Sequence, residues 1–314
     1  DHPLSAHFAL LDSEQLLHII GPDTLSFLQG QVTCDTREVS SQQAVVGAYC
    51  NPQGRMVCDF MLAQLGENHY ALRLKANTLA TAAKTFSKYI VFSKADLEAE
   101  RQDWQVIGCW GNEAAKDLAK AGFAIPEAKY QAATGDGYVV VQMDDAGTQF
   151  ELLIDTQNHS ERLNSLGQNL NSGKESQWQA LQIRAGIGRI EQANIEELLP
   201  QMLNYDVTGH VSFTKGCYTG QEIVARLHYR GKAKRRLYLG QFDETESPGA
   251  GAALFSTSAE QSVGVLVNAA SADGGNICLL CATEKGVEQG LRLTSQQGAA
   301  IQVLELPYDI PAAD

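Results

Sequence analysis

The sequence contains no apolar run of the length a membrane-crossing helix needs, about 20 residues. Its longest apolar stretches, such as Val263 to Val267 with Gly264 inside, stop far short of that. The start, Asp1-His2-Pro3-Leu4, shows no basic stretch leading into an apolar one, so no secretory signal is read there. Basic residues are scarce: 24 Lys and Arg stand against 37 Asp and Glu, for a net charge of −13. A phosphate backbone would be repelled, which disfavours DNA and general nucleic-acid binding and leaves any anion site local. The seven cysteines (Cys34, Cys50, Cys58, Cys109, Cys217, Cys278 and Cys281) are odd in number and widely spread. That is a poor disulfide framework and fits a reducing cytoplasm. No GxxxxGK[ST] phosphate loop appears, and the scattered histidines lack metal-ligand spacing, so no metal site is expected. Repeats and low-complexity tracts are absent too.

What remains is an ordinary globular composition, 44% hydrophobic and 19% charged, in 314 residues, enough for two or three domains. Leu16 to Ile20 reads as a strand, after which Gly21-Pro22-Asp23 opens a short helix ending near Gly30. Ala44 to Cys50 and Arg55 to Gln64 read as strands joined by Asn51-Pro52-Gln53-Gly54, a sequence suited to a type I turn. His69 to Leu74 is a further strand, Asn77 to Tyr89 a helix, and strands at Gln105 to Trp110 and Tyr138 to Met143 flank a helical Glu113 to Ala121. Helices near Ser160 to Leu170 and Glu175 to Ala185 follow. This is an α+β pattern with hairpins, not a doubly wound parallel sheet. After Arg236 come short β-rich runs (237–242, 252–255, 263–268, 277–281, 301–306), the texture of a small barrel or sandwich. The expected division is therefore 1–236, an α+β region of two lobes, and 237–314, a β-barrel domain.

One segment concentrates chemistry. In Lys215-Gly216-Cys217-Tyr218-Thr219-Gly220-Gln221-Glu222, Thr219-x-x-Glu222 fits a capping box at a helix start. Ile223, Val224 and Leu227 supply an apolar face, Glu222 and Arg226 are spaced to pair, and Gly231 can end the helix. Cys217 then lies just before a helix N-terminus, where the partial positive charge and Lys215 would favour thiolate. The same residues also suit a plain capped helix with a small buried thiol, and no His or acid stands at a spacing that identifies a dyad, though His210 and His228 are near in sequence. Residues 226–236, RLHYRGKAKRR, carry Arg226, Arg230, Lys232, Lys234, Arg235 and Arg236 with no acid: a solvated loop, or a local anion site.

KGCYTGQEIVAR, residues 215–226, resembles the signature of the folate-binding tRNA-modification regulator family. That family is related to the aminomethyltransferase (T-protein) of the glycine cleavage system and includes mitochondrial iron–sulfur assembly factors. Further resemblance lies in Phe27-Leu28-Gln29-Gly30-Gln31-Val32-Thr33, Asn51-Pro52-Gln53-Gly54-Arg55-Met56, Lys88-Tyr89-Ile90-Val91-Phe92-Ser93-Lys94 and Leu306-Pro307-Tyr308, in the family's order. The resemblance implies aminomethyltransferase-like lobes around a folate cavity, with tetrahydrofolate or another reduced folate as ligand, and a C-terminal antiparallel β-barrel. It implies support of iron–sulfur enzymes as partners, among them the tRNA methylthiotransferase. Cys217 would be the essential thiol, with Lys215 and Arg226 beside it. Tyr218, Gln221 and Glu222 would shape its surroundings, and Trp178 would line the folate site with a flat indole. Asn204 falls where the family has a polar residue near the cavity. Asp59 falls in a hairpin region where aminomethyltransferases carry functional carboxylates, so it would bond folate nitrogens or act as a base; the same strand position also suits a solvent-facing or loop-capping acid. Where some members carry an aromatic folate contact, this chain has Glu14-Gln15.

Two alternatives accompany this reading. One is a tetrahydrofolate-dependent one-carbon (aminomethyl-type) transferase, whose signature carries an acid where Cys217 stands. The other is a scaffold without ligand that docks through the barrel and the basic stretch. Cys278-Leu279-Leu280-Cys281 invites a metal or redox reading, but residues three apart in a strand face opposite ways, and core packing is expected for both. Cys34, Cys50, Cys58 and Cys109 are expected in the core as well.

Overall fold

Alternation of apolar residues on strands with two covered faces organises the chain, as seen in a computed structural model describing residues 6–244 and 246–311. The start at Asp1 to Leu4 lies outside the described residues. The chain divides into two compact units: one holds the chain up to Gly47 with Phe60–Trp178, the other Ala48–Asp59 with the chain from Gln179 onward. The chain passes between them inside the hairpin Val45–Cys50/Met56–Gly66 and inside the helix Glu175–Arg184.

The first unit is α+β. Its six-stranded sheet runs in the order Asn171–Ser172, His7–Leu10, Trp104–Trp110, Gln149–Asp155, Tyr138–Gln142, Ala132–Gly135. On one face, Ile107, Cys109, Val140, Leu152 and Ile154 meet Ala114 and Leu118 of the helix Ala114–Lys120 and Leu166 of the helix Ser160–Asn169. On the other, Val106, Val139, Val141 and Leu153 pack with Leu16, Met61, Ala63 and Ala71 of a second sheet, which includes Glu14–Ile20 and His69–Lys75. The period of two along each strand sorts side chains between these two cores. The strand Gln149–Asp155, central in the sheet, has no counterpart in the sequence reading. Both its faces are buried, so polar alternation is lost, and Glu151 interrupts what is left of an apolar run.

The second unit holds a closed antiparallel barrel of six strands: Arg235–Phe242, Gly275–Thr283, Gly264–Ala272, Ala253–Ser256, Leu291–Leu293 and Ala300–Leu304, which pairs back onto the first. The short strand at 291–293 and the helix Glu284–Gln289 before it were not legible in the sequence. On Gly275–Thr283, Cys278, Leu280 and Ala282 enter one core while Ile277, Leu279 and Cys281 enter another, formed with Ala48, Met56, Leu203, Tyr205 and Val224. Cys278 and Cys281 are thus buried on opposite faces, and burial pushes both thiols up to about 12. No helix among the described residues is long and apolar enough to cross a membrane.

In the first unit, His18 on Glu14–Ile20 is fully buried, with Nδ1 2.8 Å from Nε2 of His69. Its own Nε2 has no hydrogen-bond partner. Burial, then the nearby Arg101 charge, lowers its pKa to about 3. The folded-state value lies below the ordinary 6.5, so the stabilising effect of a neutral His18 is present above pH 6.5 and lost as pH falls from there toward 3. Between pH 7 and 5 this group is expected to remove about 2 kcal/mol of stability. Urea unfolding of the wild type and His18→Gln at both pH values tests it: the variant should show a shallower pH dependence, and equal slopes would assign the effect elsewhere.

Candidate functional site around Cys217

Two backbones meet closely at the start of the helix Gln221–Tyr229. Gly220, its N-cap, has φ +83, and a Cβ there would lie 2.6 Å from the carbonyl oxygen of Asn51 and 3.1 Å from the Cα of Gly54. A Cβ on Gly54, φ +80, would in turn meet Ile223 at 3.0 Å. Only glycine permits both the left-handed backbone and the approach. The turn is stiffened from within: Asn51 Oδ1 accepts from the amides of Gln53 and Arg55, each at 3.0 Å, and Gly54 N donates to Asn51 O at 2.9 Å. The expected capping box is therefore replaced. The helix begins after Gly220 with no side-chain cap, because contact with the 51–54 turn sets where it starts. The Glu222 carboxylate instead accepts from Arg226 Nη2 at 3.3 Å, the predicted pairing, on an exposed face where it adds little stability. Gln201 Nε2 donates to Val224 O at 2.8 Å and holds the helix from below.

The loop before the helix carries Cys217, exposed, while its neighbours turn inward. Tyr218 is buried, and burial raises its phenol pKa. Lys215, also buried, holds its Nζ 5.0 Å from the centre of the Tyr218 ring, a cation–π contact. Gln221 Nε2 donates back to Gly216 O at 3.2 Å and tightens the loop. Lys215, Cys217, Tyr218, Gln221, Glu222 and Arg226 thus form one local assembly. The two nearby histidines are engaged elsewhere: His210 stacks on Tyr205 at 4.0 Å with Nδ1 2.7 Å from Thr208 Oγ1, and His228 stacks on Phe213 at 3.6 Å.

The basic stretch splits. Arg236 is buried and bonds Asp206 through both terminal nitrogens, at 2.7 and 3.0 Å, so it belongs to the scaffold. Arg226, Arg230, Lys232 and Lys234 are exposed.

Asp59 and Asn204 sit in the same unit, both buried. Asp59 takes Arg189 Nε on one oxygen at 2.5 Å and Ile190 N on the other at 2.6 Å. It caps a loop rather than facing solvent. Removing one partner of such a buried pair costs roughly 3–5 kcal/mol. Asn204, at φ +60, donates from Nδ2 to Leu237 O at 3.0 Å and to the Tyr308 hydroxyl at 3.3 Å, and accepts from Leu237 N at 3.3 Å. Its amide ties the first barrel strand to the chain's end.

Trp178 lies in the first unit, in its core: a Cβ on Gly108 would come within 2.5 Å of the indole, and the Trp110 ring stands 6.1 Å away. Opposite Gly108 in the strand register is Glu151, and here the sequence reading missed a buried ionic group. Glu151 accepts from Arg73 Nε at 2.5 Å, and Glu14 lies 3.9 Å from Arg73 and 3.8 Å from Lys75. Ser13 donates to Glu175, on the helix that carries Trp178, at 2.6 Å. The available signal was a lone charge of each sign inside an apolar strand, Leu72-Arg73-Leu74 and Phe150-Glu151-Leu152.

Residues 6–134 match the GCVT N-terminal domain family. In structure the chain is similar to the glycine cleavage system aminomethyltransferase T from Bartonella henselae, with a TM-score of 0.76, 96% of this chain and 86% of that one covered, and 16% identity. The fold is therefore aminomethyltransferase-like. In sequence it is 30% identical over 304 residues to the tRNA-modifying protein YgfZ of Pectobacterium carotovorum subsp. carotovorum (strain PC1), covering 96% of this chain and 91% of that one. The YgfZ of Yersinia pestis (strain Pestoides F) gives 30%, 96% and 92%. The chain belongs to the YgfZ family of tRNA-modifying proteins.

Of the seven cysteines, Cys217 is exposed and the other six are buried. A native-state thiol titration with an aromatic disulfide reagent is expected to find one fast-reacting thiol per chain, and none in Cys217→Ala. A second fast thiol in that variant would contradict the burial of the other six.

Proposed function

We propose that this chain is a cytoplasmic, folate-binding accessory protein of tRNA modification that keeps iron–sulfur enzymes working, the tRNA methylthiotransferase among them, through the Cys217 thiol. The observation that carries the proposal is the isolation of that thiol. Cys217 stands exposed on a loop braced by Lys215, Tyr218 and Gln221, while the six other cysteines are buried. A thiol that meets a cluster, reduces one or forms a mixed disulfide must be accessible, and the name carried by the relatives supports the pathway.

A reduced folate needs a flat apolar surface for its pterin and cations for its glutamate carboxylates. Within the second unit the chain offers chemistry of both kinds: the ring of Tyr218, and the exposed Arg226, Arg230, Lys232 and Lys234. Asp59 and Asn204 act in this proposal by holding the scaffold, since their polar atoms already bond Arg189, Ile190, Leu237 and Tyr308. The transferase alternative draws on the aminomethyltransferase-like fold. The engagement of both Asp59 oxygens, and a cysteine where the transferase signature has an acid, favour the accessory role.

The deciding test is the methylthiolated adenosine content of tRNA in a bacterium lacking its own family member, complemented with empty vector, wild type or Cys217→Ala. Restoration by wild type alone is expected; no restoration by a soluble, abundant wild type would overturn the proposal. For the ligand, a polyglutamylated tetrahydrofolate is expected to bind more tightly than the monoglutamate at low salt, with the difference fading as salt screens the tail. Equal affinities at low salt would remove the basic stretch from the site.

A further inference from the structure

Large apolar side chains rarely stand in water without a reason when they cluster. Of the six exposed ones among the described residues, three fall in one short stretch: Tyr89 is 50% exposed, Val91 68% and Phe92 95%. They sit at and beside the helical turn Ile90–Phe92, just after the helix Leu79–Ser87. The stretch is firmly built. Ile90 is buried beneath it, Ser93 N donates to Ile90 O at 2.9 Å, and Lys94 N donates to Asp23 Oδ2 at 2.8 Å while Asp23 N returns a bond to Lys94 O at 3.2 Å. Gly21, φ +144, lets the neighbouring backbone press against Lys94 and Ala95, where a Cβ would fall 2.2 Å from Lys94 O. Phe92 is thus held out by a rigid support and has not merely frayed from the surface.

The charge around it is equally unusual. In a chain of net charge −13, residues 71–95 contain no acid, and Lys84, Lys88 and Lys94 stand exposed along the ridge. Asp96 follows, and the Asp23 carboxylate bonds the Lys94 amide. We propose that this ridge is a docking surface for a partner protein that offers an apolar pocket for Phe92, rimmed by carboxylates that meet the three lysines. A rigid aromatic anchor with a polar rim is the usual energetic centre of a protein interface. The other occupants suit it less well. A two-fold contact between copies of this chain would set lysines against lysines. An anionic bilayer would repel the net negative charge. Val91 offers no ring face to a nucleic-acid base. The inference rests on neither the folate nor the thiol reading.

The test places photoreactive benzoylphenylalanine at position 92 of the full chain in cells that naturally make it, with position 207 (also exposed) as control. One discrete protein adduct is expected from 92 and none from 207. The adduct should fall about five-fold or more when Lys84→Glu, Lys88→Glu and Lys94→Glu are combined. The purified partner should then bind wild type about ten-fold more tightly than the triple variant or Phe92→Ser at low salt, with the charge effect shrinking at high salt. Because all four side chains are exposed, circular dichroism and thermal midpoint should match wild type, which separates docking from folding. An adduct to a second copy, a lipid or a nucleic acid, no discrete adduct, or one indifferent to charge reversal would overturn the proposal.

Discussion

The Cys217 loop depends on the absence of one carbon atom. Without a Cβ on Gly220, the helix Gln221–Tyr229 starts directly against the carbonyl of Asn51, and the loop that precedes it is drawn onto the 51–54 turn. That turn is itself rigid, through the Asn51 side chain and through Arg55, which donates to Glu197 O at 2.8 Å. Any side chain at 220 would have to resolve a backbone clash and adopt a left-handed φ together, with no flexible atom to give way. The presentation of Cys217 is in this sense a property of a hairpin more than 160 residues earlier in the chain.

In each unit the polar interior is closed by pairs. Asp59 with Arg189, Arg236 with Asp206, and Arg73 with Glu151 each bury a charge of either sign together. Such pairs add little net stability, yet each is costly to break singly, so they discriminate against misregistered packings in which a partner goes missing. Two of them join a strand residue, Asp59 or Arg236, to a loop residue of the barrel unit, and one lies between the two sheets of the first unit, where Glu14 also reaches it.

Much of the fold could be read from the chain. Strands at 16–20, 44–50 and 69–74, the helices after 160 and 175, and the barrel strands after 236 all appear close to where periodicity and turn residues put them. What failed shares a cause. The strand Gln149–Asp155 is covered on both faces, so solvent leaves no mark on its pattern. The capping box at Thr219 failed because a tertiary contact at Gly220 fixes the helix start, and local sequence carries no trace of a distant carbonyl. At the candidate site the reverse holds. The segment 215–226 is contiguous, so its members are neighbours in space as in sequence, whereas Arg73, Glu151 and Glu14 come together only through sheet packing. Arg236, the last residue of a basic run, was indistinguishable from its exposed neighbours until Asp206 appeared beside it.

The strand Gly275–Thr283 is a party wall. Cys278 and Cys281 look like a pair in the sequence, yet each answers to a different set of neighbours: Leu254, Leu266 and Leu291 on one side, Met56, Leu203 and Val224 on the other. Substitutions at even positions should be compensated within the barrel, and those at odd positions within the layer that underlies the Cys217 helix. A slip of one residue along this strand would exchange the contents of two cores at once. The barrel and the Cys217 helix therefore inherit their packing tolerances from opposite sides of the same nine residues.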